Sequence, residues 1–211
     1  LKADRQDIPF VGIMSNGTEG DTNNINFKGP AVSYPPYAKM NLVADDVARE
    51  VFRVYQTIEH KSWVALGAAQ TELTLDVRRP DAQALDWAEK TMQKAKPDHA
   101  MERVFAERTI QMKAWPEKID VILQAFSIGD LGIAAIPFEV FAETGLEIKA
   151  KSPFGKSFTI GLANGGYGYL PTPEQHQLGG YETWMSVNKV KKEASRKIVT
   201  EILKLLNQLN Q

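Results

Sequence analysis

One stretch of this sequence, residues 119–136, leaves little freedom in how it folds. Most residues in 119–126 and all in 131–136 are apolar or glycine, and the four residues between them end in Gly129-Asp130, a pair that favours a tight turn. The pattern predicts an antiparallel β-hairpin. Any sheet that contains this hairpin must be at least partly antiparallel.

The other patterns place strands and helices around the hairpin without a regular βαβ alternation. Apolar runs and period-two alternation predict strands over 8–15, 63–77 and 157–163. Helical patterns cover 38–58, 80–95, 100–115, 137–151 and 190–209. We therefore predict an α+β fold, a mixed and partly antiparallel sheet packed by helices. The chain has 211 residues, 43% of them hydrophobic, so a single domain over 1–211 is expected.

Charge and cysteine content narrow the possible functions. The 25 Lys and Arg residues balance 26 Asp and Glu, so the sequence lacks the positive field that nucleic acid would require. Because there is no cysteine, thiolate metal clusters and cysteine nucleophiles are excluded. No apolar run reaches the length of a transmembrane helix. The chain starts without Met and its first residues are charged, so we expect a further segment upstream.

The first candidate site is the long loop over 16–36, which follows the first predicted strand. Asn16, Gly17, Asp21 and Asn23 give it flexible backbone and side-chain oxygens that could bind an oxyanion or a substrate. A loop of this length in a compact domain is usually functional or disordered. The same residue types also form ordinary turns, and that alternative stays open.

The second candidate is Glu139, which follows the predicted strand 131–136 and Pro137. Pro137 suits the first position of a helix, so the pattern predicts Glu139 in the first helical turn. A carboxylate there gains about 0.3 to 1 kcal/mol from the helix dipole without any catalytic role. Alternatively, the strand end holds it rigidly at the sheet's rim, where metal ligands and catalytic carboxylates work well.

The third candidate is the Gly- and Tyr-rich loop over 164–181. Tyr167 and Tyr169 lie in a loop with five glycines, where aromatic side chains must become buried or contact a ligand. His176 follows and is one of three histidines; a lone histidine is more often structural, and that alternative also stays open. Each candidate follows a predicted strand, so the three are expected to converge on one rim of the sheet. Composition leads no further than a hydrolase or a binding site there.

These residues resemble the neutral, non-lysosomal ceramidases of bacterial type, which are zinc-dependent amide hydrolases. Residues 9–25 are similar to a Pro-Phe-Val strand followed by a Gly-Asp-Val-Ser-Pro-Asn stretch. Residues 132–139 are similar to a strand that ends in Pro-Gly-Glu, and residues 164–182 resemble the run Asn-x-Tyr-x-x-Tyr, Thr-x-x-Glu-x-Tyr and Tyr-Glu. The resemblance covers about 8–187. It implies the carboxy-terminal half of a larger layered α/β catalytic domain.

The resemblance implies roles for individual residues. Glu139 and Tyr169 correspond to zinc ligands of the family. Asp21, Asn23 and His176 become catalytic candidates, with His176 polarising the substrate or supporting the metal ligands. Asn16, Gly17 and Tyr167 are expected to contact the substrate. The implied reaction is attack of metal-activated water on an amide carbonyl, as in the hydrolysis of N-acylsphingosine.

Two departures from the family shape these expectations. The family's serine falls on Asn23, so that hydroxyl is absent, and the family's two histidine ligands lie upstream of any residue here. We therefore expect this chain alone to be inactive and to bind zinc weakly or not at all, with the upstream half of the same catalytic domain as its partner.

The expected substrate is a lipid or small-molecule amide, and the family implies a periplasmic or extracellular location. Two alternatives remain open. One is a related hydrolase for a different amide or ester. The other is a catalytically silent fragment or interaction module.

Overall fold

The computed structural model describes residues 12–96, 98 and 101–211. They form two compact units, one made of the residues up to Thr22 together with Ala65–Gln211, and the other of Asn23–Val64. The second unit contains helix α1 (Ala38–Tyr55), in which no residue is buried. Two compact units can belong to one domain or to two, so the single domain over 1–211 stays a prediction.

The first unit is built from a four-stranded mixed sheet and a small two-stranded one. Its strands are β1 (Leu66–Asp76), β2 (Lys118–Ile128), β3 (Leu131–Ala135), β4 (Glu139–Val140), β5 (Lys156–Ile160) and β6 (Tyr169–Leu170). The larger sheet has the order β1-β2-β3-β5, antiparallel except for the parallel pair β3 and β5. The smaller sheet pairs β4 with β6 in parallel. The predicted α+β class with a mixed sheet is therefore confirmed.

The helices of the first unit are α2 (Ala82–Gln93), α3 (Glu102–Met112), α4 (Ala142–Lys151), α5 (Pro173–Leu178) and α6 (Ala194–Leu209). Of these, α4 and α6 pack on the larger sheet, and α2 and α3 pack on each other. Helix α6 packs on β1 and β2 because its apolar stripe, including Ile198 and Ile202, is fully buried against Leu75 and Leu123. Each such side chain contributes about 1.5 to 3 kcal/mol relative to exposure. Helix α4 packs beside α6 and against β5.

The opposite face of the larger sheet is open in the part of the chain that the structure describes. Its alternating residues form cross-strand rows, and one row runs through all four strands: Ala68, Phe126, Ile133 and Phe158. At the neighbouring row, Leu66 is 76% exposed and Ile128 is 44% exposed. An apolar sheet face of this kind is normally packed against another layer.

The predicted hairpin is confirmed. Strands β2 and β3 pair from Gln124 with Ala135 to Ile128 with Leu131, and Gly129 makes the turn with φ of 56°. A positive φ at this position favours glycine, because a side chain there would be strained. The helices predicted over 38–58 and 190–209 are also confirmed, with slightly shorter bounds.

The helix predicted from Pro137 is wrong at its start. Glu139 and Val140 form strand β4, and α4 begins only at Ala142. The reason is a long-range partner: the Glu139 N–H donates to the Gly168 carbonyl at 3.0 Å, within the ladder with β6. Glu139 therefore lies on a short strand and not in the first turn of a helix.

Two further expectations differ from the structure. The predicted strand 8–15 lies partly outside the described residues, and 12–15 has no regular structure, with Ile13 90% exposed. The region predicted as a loop over 164–181 contains β6 and α5. Among the described residues, no helix is both long and apolar enough to cross a membrane.

Candidate active site

The two residues proposed as metal ligands lie opposite each other in the small sheet. Glu139 of β4 and Tyr169 of β6 are register partners. Residues in register on neighbouring strands point to the same face, and both side chains line one cavity of about 420 Å³. The structure thus brings together two side chains that are 30 positions apart in the sequence.

The phenol of Tyr169 is held by a second tyrosine. Its oxygen lies 2.9 Å from the Tyr181 hydroxyl, and the two rings meet edge to face with centroids 5.5 Å apart. Burial, this hydrogen bond and the Glu139 carboxylate together raise the pKa of Tyr169 well above its usual value. The ring is therefore fixed in orientation, with its hydroxyl directed towards the carboxylate and Tyr181.

A second carboxylate, Glu19, approaches Glu139 from the first loop. The Gly20 N–H donates to the Val140 carbonyl at 2.8 Å, and a Cβ at Gly20 would lie 2.5 Å from the Glu139 carbonyl oxygen, so only glycine fits here. Both carboxylate oxygens of Glu19 are buried, with no described partner beyond the residue's own backbone amide. Burial raises the pKa of Glu19, and Glu139 adds to the rise. The sequence analysis did not propose Glu19.

The other first-loop candidates have structural contacts. The Asn16 carbonyl accepts a hydrogen bond from the Gly161 N–H at 3.3 Å, and the adjacent Gly17 is exposed. An Asp21 carboxylate oxygen accepts from the Ala142 N–H at 2.8 Å, so it satisfies a free donor at the start of α4. Desolvation raises the pKa of Asp21, with a further contribution from nearby Glu143.

Like Asn16, Gly17 and Asp21, three further predicted residues do not line the cavity that holds Glu139 and Tyr169. Tyr167 packs on Phe138, with ring centroids 5.6 Å apart, at the edge of the core. His176 lies on α5; its Nε2 is buried without a described hydrogen-bond partner, and burial lowers its pKa. Asn23 lies in the second unit, where it is exposed. The catalytic and substrate roles of these residues remain predictions.

Two cations share the cavity with Glu139 and Tyr169. Arg108 of α3 and Lys189 both line it, and neither was proposed from the sequence. The Lys189 ammonium lies over the Trp115 ring at 5.0 Å from its centroid. Burial and Arg108 lower the pKa of Lys189, whereas Glu139 acts in the opposite direction. The three charges therefore act on one another in one polar cavity.

A half-buried arginine fixes the loop that forms one wall of this cavity. Arg78 donates from Nη1 to the Thr183 carbonyl at 2.6 Å and to the Asn188 side-chain oxygen at 3.0 Å. The Asn188 amide in turn donates to the Tyr169 carbonyl at 3.0 Å. Because Asn188 is buried, these bonds tie residues 183–189 firmly to β6.

An apolar cavity of about 450 Å³ lies next to the polar one. Trp87 of α2, Phe105 of α3 and Trp184 line it, and the Phe105 and Trp184 rings pack edge to face with centroids 4.7 Å apart. Helix α3 lines both cavities, and so does the segment 184–187, with Trp184 and Met185 on the apolar side.

The oxygen atoms near Glu139 and Tyr169 are the possible metal ligands of this site. Glu139 and Tyr169 present adjacent oxygen donors, and the unpartnered Glu19 carboxylate beside them is what a site awaiting a cation would show. Catalytic zinc usually has three protein ligands, often including histidine. No group of three His, Cys, Asp or Glu residues within the described ranges could hold a metal. The described residues thus offer two adjacent oxygen donors, fewer than the three protein ligands that such a site usually has.

Comparison with solved structures identifies a class of fold. The chain matches the neutral ceramidase from Pseudomonas aeruginosa with a TM-score of 0.63 and 14% identity, covering 97% of this chain and 38% of that one. It also matches a ceramidase complexed with C2, with a TM-score of 0.56 and 11% identity, over 82% of this chain and 34% of that one. No protein-family model and no curated protein matches the sequence.

At these identities the similarity shows the fold. This chain has the fold of part of a ceramidase and spans less than two fifths of the length of either matched protein.

Proposed function

We propose that this chain is the part of a ceramidase-like, zinc-dependent amide hydrolase that supplies Glu139 and Tyr169 to the metal. The observation that supports this most strongly is the register of these two residues on β4 and β6, inside a polar cavity. The motif resemblance had selected the same two residues, and the ladder that pairs them depends on contacts that no local pattern contains.

The chain's own residues would have separate tasks in this site. Bound zinc would supply a Lewis acid and a water of lowered pKa. Glu139 and Tyr169 would hold it, and Tyr181 would orient the Tyr169 ring through the 2.9 Å hydrogen bond. Arg78 and Asn188 would keep the cavity wall in place. Asn16, Gly17, Asp21, Asn23, Tyr167 and His176 stay candidates for substrate contact or catalysis.

The proposed partner is another segment of the same catalytic domain, which supplies the remaining zinc ligands. The open sheet face supports this, because its apolar row of Ala68, Phe126, Ile133 and Phe158 needs a covering layer. The partial coverage of the matched ceramidases supports it too. A periplasmic or extracellular location remains an expectation from the family.

A zinc titration tests the proposal. We expect the whole protein to bind one zinc tightly in calorimetry and this chain alone to bind it weakly. Glu139→Gln should remove tight binding from the whole protein, whereas Glu147→Gln, a partly exposed carboxylate on α4 that pairs with Lys151, should not. Tight binding that survives Glu139→Gln would contradict the proposal.

The substitution at the family's serine favours a second candidate function, a catalytically silent domain that binds partners. Asn23 carries a carboxamide, which cannot act as a nucleophile or relay a proton as a hydroxyl does. A panel of ceramide, other N-acyl amides and simple esters, tested with the whole protein, separates the candidates. Turnover of any of them supports the hydrolase, and turnover of none, with zinc bound, supports the silent domain.

A further inference from the structure

The polar cavity holds positive charge for which the described residues provide no partner of their own. Neither Arg108 nor Lys189 makes an ion pair or a side-chain hydrogen bond within the described ranges; each lies instead over an aromatic ring. By contrast, Lys94, Lys151 and Arg53 are paired with carboxylates at about 2.7 Å. A half-buried cation without an ion pair, such as Lys189, is costly, and an anionic ligand would remove that cost; the exposed Arg108 adds a second positive charge beside it.

The two cations are held before any ligand arrives. The Arg108 guanidinium lies 5.9 Å from the centroid of the Phe105 ring, and Lys189 lies over Trp115. The backbone of Lys189 is also fixed, because its carbonyl accepts the Arg78 N–H at 2.8 Å. Groups that are already positioned lose little freedom on binding, which favours affinity and orientation.

Charge balance selects the kind of anion. The cavity contains two positive charges and the negative charge of Glu139, which leaves a net charge of +1 before any metal binds. A carboxylate neutralises this excess. A phosphate dianion would leave a net negative charge in the same cavity as the Glu139 carboxylate, where like charges repel.

The apolar cavity determines which chemical group the other end of the ligand should carry. It shares α3 and the segment 184–187 with the polar cavity, so the two cavities are neighbours, although no single residue lines both. Its wall of Trp87, Phe105 and Trp184 suits an alkyl or aryl group, which gains about 0.8 kcal/mol for each buried methylene.

We propose that this site acts on N-acyl amino acids, with Arg108 and Lys189 binding the substrate carboxylate and the apolar cavity holding the acyl group. This inference rests on the proposed amide hydrolysis. In the reaction the oxygen of water bonds to the acyl carbon, the carbon–nitrogen bond breaks and the nitrogen takes up a proton, which yields a carboxylate and a free amino acid.

The test uses two probes that differ only in charge, N-lauroylglycine and its neutral amide N-lauroylglycinamide. Binding is measured by calorimetry on the whole protein after zinc has been removed with a chelator, so that hydrolysis does not interfere and Glu139 keeps its charge. We expect N-lauroylglycine to bind at least about 10-fold more tightly than the amide. Arg108→Gln and Lys189→Gln should each remove most of that difference, and Lys113→Gln, an exposed cation at the end of α3, should leave it unchanged.

Binding and turnover together distinguish failure of this inference from failure of the proposed function. Charge-dependent binding without turnover by the unmodified protein supports the anion site and contradicts the hydrolase. Turnover of ceramide or the neutral amide that equals or exceeds turnover of N-lauroylglycine overturns the inference and leaves the hydrolase intact. Equal binding of both probes, binding of neither, or tighter binding of dodecyl phosphate also overturns it.

Discussion

The two cavities beside α3 share a helix and a loop but are built in different ways. The apolar cavity is lined largely by helices α2 and α3, which pack on each other. Other apolar side chains of similar size could replace its aromatic rings. The polar one joins residues from α3, β4, β6 and the segment 186–189, and each contributes a specific charge or hydroxyl. The apolar cavity therefore depends on the volume of its side chains, whereas the polar cavity depends on individual groups that long-range backbone pairing holds in place.

The largest expected effect comes from Tyr169→Phe in the whole protein. Loss of the phenol oxygen removes a proposed metal ligand, so kcat/KM for amide hydrolysis should fall by about 100-fold or more. The melting temperature should change by no more than about 5 °C, because only one hydrogen bond, to Tyr181, is lost. Tyr167→Phe is the matched control. If Tyr169→Phe retains full activity, Tyr169 is structural and Tyr167 becomes the better candidate.

The next effect concerns the wall that both cavities share. Arg78→Met should lower the free energy of unfolding by about 2 to 3 kcal/mol, because the Thr183 carbonyl and Asn188 lose a charged donor in a buried setting. Denaturant unfolding measures this. Arg79→Met serves as the control, since Arg79 is exposed and makes one bond to the Trp115 carbonyl. Equal losses for the two variants would show that Arg78 does not fix the wall.

These predictions depend on features that the sequence reveals unequally. The hairpin was predictable because its turn and its partner strands are adjacent in the sequence. Strand β4 was not, because two residues after a proline satisfy a helix-start pattern, and only pairing with Tyr169, 30 positions later, makes Glu139 a strand residue. Local patterns cannot contain such a contact.

Only the site residues that belong to a family motif were predictable from the sequence. The family resemblance selected Glu139 and Tyr169, and the structure brings them together. Arg108 lies on a helix and Lys189 on a loop, each among other charged residues, so neither has a signal in the sequence. Glu19 stands beside the Gly20-Asp21 pair that drew attention to the loop. Its burial could not be foreseen, because it depends on how that loop runs along β4.

A smaller effect is expected in the apolar cavity. Trp87→Ala should weaken binding of N-lauroylglycine by about 10-fold and leave N-acetylglycine unaffected, because only the long acyl group reaches the indole. Trp63→Ala, an exposed indole in the second unit, is the control. A loss that is the same for both ligands would mean that the two cavities do not divide the substrate as we propose.

The smallest expected effect is on the pH dependence of stability, and it tests whether His176 acts independently of both cavities. Burial lowers the pKa of His176, so the unfolded chain binds a proton more readily, and stability should fall as pH drops below about 6.5 towards the folded pKa. Above about pH 6.5 this contribution is fully present. His176→Asn should flatten the dependence of stability on pH between about pH 5.5 and pH 7.5 (roughly one unit either side of the ordinary histidine value) without altering ligand affinity. An altered affinity for N-lauroylglycine would place His176 in the site.

The most direct test of the central claim is anomalous diffraction at the zinc edge from crystals of the whole protein. If Glu139 and Tyr169 form one metal site, a single strong peak should lie roughly 2.0 to 2.2 Å from an oxygen of each residue, with its other ligands outside this chain. A zinc peak that contacts neither residue, or a fully occupied site elsewhere in the protein, would contradict the account.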